Sequence, residues 1–216
     1  MRQSLNEGQL ELIKLLKEMG EEVERIIQGS MQALISLDRT QAEFWIGEDQ
    51  KVNDYERQVD DIGVLLIATQ QPVAKDLRKI ISAMKISTDL ERMADLGIDI
   101  AKVVRRIDGP LCKPLVDIPL MAQKALVMMD QGLEAYERED MELAQGLANL
   151  DDEIDHQYNR VVRDLLEIMS RQSEYLDQGL HLTFVARYLE RIADHATNIG
   201  ENVIYIATAE RKDLNK

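Results

Sequence analysis

Acidic or amide side chains recur four residues apart at two places in this chain, and each place is written twice. Leu90-Glu91-Arg92-Met93-Ala94-Asp95 returns 99 residues later as Leu189-Glu190-Arg191-Ile192-Ala193-Asp194. Upstream, Asp49-Gln50-Lys51-Val52-Asn53 is echoed at an offset of 102 by Asp151-Asp152-Glu153-Ile154-Asp155. Residues four apart stack on one face of a helix. Acids on a core-facing stripe are costly unless they are paired or hold a cation. Four such oxygens at one height describe a site for Mg, Ca or Mn, or a carboxylate-bridged pair of iron ions.

Whether the halves of each site meet depends on register. In an antiparallel helix pair, residues equidistant from the turn lie at the same height. Asp49 then faces Asp95, and Asn53 faces Glu91, about residue 72, which is a proline. Asp151 faces Asp194, and Asp155 faces Glu190, about a point between Gln172 and Ser173. Asn198 and Glu201 continue the Glu190/Asp194 face, and Asp99 takes the place of Asn198 in the first copy. A single acidic pair is ordinarily a solvated helix face. Two quartets that close independently at turns inferred from other residues argue for a site in each copy.

The remaining chemistry is sparse. Glu153 and His156 form the only Glu-x-x-His, whereas di-iron bundles draw one from each of two helices; Asp54 stands at the matching position of the first copy. His195 is matched by Leu96, so both histidines read as supporting or surface groups, and His181 lies outside both quartets. Arg92 and Arg191 read as salt-bridge partners on a helix surface. Met121, Met128, Met129 and Met169 read as adaptable core. No nucleophile with a base, Gly-rich phosphate loop or zinc-type Cys/His spacing is present, so catalysis has no foothold.

Helices must position these groups. Leu12, Leu16, Met19, Val23, Ile27, Leu34 and Leu37 give the three-and-four spacing of a bundle helix over about 5–37. Asp38 or Thr40 then caps a second helix running to about Gln70, and Pro72 suits the first turn of a third that reaches about Ile107. Asp108-Gly109-Pro110-Leu111-Cys112-Lys113-Pro114 is the clearest break. Three more helices follow, over roughly 119–138, 141–169 and 176–209. The fold class is all-α: two tandem three-helix bundles related by internal duplication, residues 1–108 and 114–216.

Composition agrees. Of the 216 residues 45% are hydrophobic, 31% charged and only 4% aromatic, which suits a helical bundle and excludes a disordered chain. A formal charge of −14 repels nucleic acid and anionic lipid surfaces. Cys112 is the lone cysteine, so no intrachain disulfide forms. Neither a signal peptide nor a stretch of roughly 20 apolar residues is present. A soluble cytoplasmic protein is expected, with no nucleic-acid partner and no membrane insertion.

The repeated Glu-Arg-x-Ala-Asp, its extension Asp194-His195-Ala196-Thr197-Asn198-Ile199 and the preceding Asp-x-x-Ile-Asp resemble the PhoU family, accessory regulators of the phosphate-specific transporter. The resemblance spans essentially the whole chain. The first copy departs from the pattern in Asn53, Leu96 and Asp99. The resemblance implies two three-helix bundles with iron or zinc clusters on Asp49, Asn53, Glu91, Asp95 and Asp99, and on Asp151, Asp155, Glu190, Asp194, Asn198 and Glu201. It further implies a non-enzymatic, homodimeric adaptor. Such an adaptor contacts the transporter's ATPase subunit and a sensor histidine kinase, and holds the kinase non-signalling when phosphate is plentiful. The rival readings are a metal-dependent bundle-carboxylate enzyme, a metal-storage protein and a purely structural scaffold.

Overall fold

The computed structural model describes residues 2–215 and contains helices α1 (Arg2–Ser36), α2 (Arg39–Ile46), α3 (Gln50–Gln70), α4 (Ala74–Val104), α5 (Asp117–Arg138), α6 (Met141–Arg171) and α7 (Leu176–Thr208). A 3₁₀ turn, Ser173–Tyr175, links the last two. Helix α1 buries the predicted stripe Leu12, Leu16, Met19, Val23, Ile27 and Leu34. The first repeat folds α1, α2–α3 and α4 together, and the second folds α5, α6 and α7 together. Helices α4 and α7 pack on each other and α1 meets α5, so one continuous apolar core runs through both repeats. No described helix is long and apolar enough to cross a membrane.

The duplication extends to the turns. Leu37 and Glu139 are both left-handed, with φ of 52° and 54°. Each lets the next residue's N–H reach back five positions: Asp38 to the Ala33 carbonyl at 3.0 Å, and Asp140 to Ala135 at 2.9 Å. Each aspartate then caps a helix. The Asp38 carboxylate accepts from the Thr40 and Gln41 amides, and Asp140 from Glu142 and Leu143. A short acidic side chain is suited to this position because the first helical amides lack intrahelical acceptors.

Two expectations are corrected. The second helix of the first repeat is not continuous: it stops at Ile46 and restarts at Gln50. Gly47, the weakest helix former there, lets the Gly47 and Glu48 amides turn onto the Phe44 and Trp45 carbonyls instead of continuing the ladder. The counterpart of Gly47 is Asn149, inside the unbroken α6. Pro72 also lies outside α4. It restricts Gln71, which turns left-handed at φ 48°, while Val73 is extended and the helix starts at Ala74.

Across from the break, the Trp45 ring fills the space that a Cβ on Gly29 of α1 would take. Gly29→Ala should therefore expel the chain's only tryptophan, red-shifting its fluorescence and costing about 1–2 kcal/mol in urea unfolding. An unchanged emission maximum would show that the ring does not depend on this notch.

Candidate metal centre

Both hairpins have the register inferred from the sequence. The Thr88 hydroxyl of α4 donates to Glu56 Oε1 of α3 at 2.9 Å, and these residues are equidistant from residue 72. In the second repeat, Gly200 of α7 abuts Ala144 and Leu147 of α6, the same alignment that sets Asp194 opposite Asp151.

The second copy gathers its acids. Asp151 on α6 and Glu190 on α7 are buried, 6% and 8% exposed. Asp194 is half-buried and Asp155 exposed. Burial, then the charges of Asp194, Asp155, Glu190 and Asp152, push the Asp151 carboxyl up to about 7. Burial and Asp194 push Glu190 up to about 7 against the opposing charge of Arg187. Asp194 is raised as well, first by burial. Arg187 pairs with Glu190 through Nη1 and Oε1, yet Glu190 Oε2 and Asp151 Oδ1 are buried with no hydrogen-bond partner among the described residues. Buried carboxylate oxygens without donors, crowded by like charge, are what a bound cation relieves.

The first copy is more open. Burial and then Asp95 raise Glu91, with Glu56 adding to the effect and Arg92 and His195 opposing it. Asp95 pairs with Arg92 at 3.5 Å and Asp99 with Lys102 at 2.8 Å. Asn53 is half-buried, and its carbonyl accepts from Arg57 Nε at 3.2 Å. Asp49 is exposed at the step before α3 and makes no side-chain cap, because the break at Gly47 ends the helix that was to carry it. Glu56 is the α3 acid whose charge acts on Glu91.

The outer residues of the second set face a different neighbour. His195 Nδ1 lies 2.9 Å from Asp89 Oδ1, and Asn198 Nδ2 donates to the same oxygen at 3.0 Å. Asp89 belongs to α4, so this cluster joins the two repeats. Asn198 and Glu201 line a groove of about 690 Å³ with Lys85, Thr88, Asp89 and Tyr205. Glu201 Oε1 accepts from the Leu214 amide at 2.8 Å. His156, exposed, has its Nδ1 2.6 Å from the Asp152 carbonyl oxygen.

The residues of the second copy fit a hard cation: their donors are carboxylate oxygens, two of them orphaned. The shell is not pre-assembled, since no group of three or more His, Cys, Asp or Glu side chains is gathered at metal-binding geometry among the described residues. Three participants escaped the sequence reading. Arg187 sits three residues before Glu190, a spacing that marks it as a partner. Asp89 corresponds to Tyr188, so the repeat gives no sign of it. Asn215 Nδ2 donates to Asp194 Oδ1 at 3.3 Å from the segment after α7, where no periodicity operates.

A sequence model of the PhoU domain matches this chain twice, over residues 16–104 and 118–203. The phosphate-specific transport system accessory protein PhoU homolog of Clostridium acetobutylicum is 38% identical over 207 residues, covering 95% of this chain and 94% of its own length. The crystal structure of PhoU from Pseudomonas aeruginosa aligns with a TM-score of 0.88 at 32% identity, covering 95% of this chain and 99% of that one. That of the phosphate transport system regulatory protein PhoU from Streptococcus pneumoniae aligns with a TM-score of 0.90 at 28% identity, covering 97% and 99%.

Proposed function

This chain belongs to the PhoU family, accessory and regulatory proteins of phosphate transport rather than enzymes, and on that premise we propose that it is a cytoplasmic, homodimeric adaptor. It stands between the phosphate transporter's ATPase subunit and a sensor histidine kinase, and it restrains phosphate uptake and the starvation response when phosphate is plentiful. The family membership supports association with the transporter. The charge of −14 supports protein partners over nucleic acid or anionic membrane surfaces.

Metal ions belong to this reading as braces of the adaptor surface. Asp151, Asp155, Glu190 and Asp194 hold the ion of the second repeat, with Asn198 and Glu201 along the same strip of α7. Asn53, Glu91, Asp95 and Asp99 form the weaker site of the first repeat, Asp49 joining only if the step before α3 rearranges. Iron and zinc follow from the family resemblance, while the oxygen donors equally suit Mg, Mn or Ca. The observation that carries this reading is the pair of orphaned buried oxygens on Asp151 and Glu190.

Elemental analysis of the purified protein beside Glu190→Ala/Asp194→Ala, with binding of the ATPase subunit measured on both, tests it. Metal and tenfold or more of the partner affinity should be lost together. A metal-free wild type that still binds its partner would leave the acids as a solvated face.

A further inference from the structure

Beyond α7 the chain doubles back over the acids it has just presented. Ala209 is left-handed at φ 63° and reverses the direction. The Arg211 guanidinium lies 5.7 Å from the centre of the Tyr205 ring. The Leu214 side chain seats against the core beside Gly200, its Cδ1 3.4 Å from where a Cβ there would stand. The Asn215 amide turns onto Asp213 Oδ1 at 3.0 Å. These contacts bring two N–H donors and one carboxamide oxygen to one strip of α7. The Leu214 amide donates to Glu201 Oε1 at 2.8 Å, the Asn215 carboxamide donates to Asp194 Oδ1 at 3.3 Å, and the Thr197 hydroxyl between them donates to Asn215 Oδ1.

We propose that Glu210–Asn215 is a strap that competes with a divalent cation for the second carboxylate strip. The proposal rests on the metal reading given above. An N–H and a cation are alternative partners for a carboxylate lone pair, and the strap spends two N–H groups on Asp194 and Glu201. Asp194 and Glu201 stand two helical turns apart, so one ion removes one of these hydrogen bonds, and ions at both ends of the strip remove both and leave the seat of Leu214 as the main attachment. Arg211 and Lys212 line the groove on one side of the strap, with Lys85, Asp89 and Tyr205. Lys212, Asp213 and Leu214 line the groove on its other side, with Leu143, Gly146 and Asn149. Releasing the strap therefore joins the two grooves across α7, so cation occupancy sets whether this face is covered.

Two measurements on the full chain test the competition, with Mn²⁺ as the probe. Amide hydrogen exchange of the segment 209–215 should quicken when Mn²⁺ is added, the Leu214 amide most of all. Mn²⁺ affinity, read by electron paramagnetic resonance of the free ion, should rise about tenfold in Leu214→Ala/Asn215→Ala, which deletes the Asn215 donor and unseats the strap so that the Leu214 amide also leaves Glu201. Slower exchange on adding Mn²⁺ would make the strap a contributor of ligands and overturn the proposal. Equal affinity in wild type and variant, with unchanged exchange, would overturn the strap while leaving the metal site standing. Absence of Mn²⁺ binding in both proteins would remove the metal reading and the strap with it.

Discussion

In chelator-treated protein, the urea midpoint should fall as pH rises from about 5 to 8, and Mn²⁺ should restore it at the upper end. Asp151 and Glu190 are held up to about 7 in the folded chain, against roughly 3.9 and 4.3 for such carboxyls in an unfolded one. Between those limits the folded state binds more protons than the unfolded state. Their contribution to stability is thus complete below about pH 4 and is lost as pH climbs through 7. Asp194, Glu91 and Glu201 are raised as well and act in the same direction. Glu139 is lowered despite its burial by Lys75 and Lys79, and it acts oppositely, but only in the acid range.

The size of the effect follows from burial and shared repulsion. One pKa unit corresponds to about 1.4 kcal/mol. Since part of each shift is the mutual repulsion of the same cluster, the pair together contributes roughly 2–4 kcal/mol rather than the sum of two separate shifts. Asp151→Asn/Glu190→Gln keeps the shape and removes the charge. It should flatten the pH slope, raise stability at pH 8 and abolish the response to Mn²⁺. A wild-type midpoint that climbs between pH 5 and 8 without metal would contradict the crowded-carboxylate account.

What could be read in advance was whatever the duplication and the helical period both encode. Glu56 and Thr88 stand at the expected height because the apolar seams of α3 and α4 permit one register only. The caps at Asp38 and Asp140 follow from short-range chemistry. The helix expected to run through Asp49 is interrupted for a local reason: one glycine ended what period alone would have carried on. Asp89 and the Leu214–Asn215 contacts were hidden for another reason. They are made between α4 and α7 or by an irregular segment, across 106 residues for Asp89 and His195, where no periodic pattern fixes a partner. Asn198 and Glu201 show both effects at once. Their spacing puts them on the expected face of α7, but docking of α4 and of the strap decides what they touch.

Gly200→Val should cost about 3 kcal/mol or more and take the carboxylate quartet apart with it. A Cβ at residue 200 would stand 2.9 Å from the Ala144 backbone carbonyl and 2.9 Å from Leu147 Cδ1. A side-chain tip can rotate away, but a helical carbonyl cannot, so α6 and α7 must separate or bend. Overpacking of this kind costs about 1–3 kcal/mol, and a β-branched side chain on a helix adds to the strain. Alanine is the milder test, since its better helix propensity returns up to about 1 kcal/mol. Helices α6 and α7 carry Asp151 and Glu190, so widening their spacing lowers the like-charge crowding on both. The pH slope of stability should therefore flatten together with the loss of stability, a coupling that a merely local clash would not produce. Gly146 on α6 supplies the control. A Cβ there meets nothing within 4 Å, and Gly146→Ala should stabilise the protein by about 0.5–1 kcal/mol through propensity alone. Urea unfolding at pH 5.5 and 8 on the two variants separates these effects. Should Gly200→Val keep the wild-type pH slope while losing stability, the α6–α7 spacing would not be what brings the acids together.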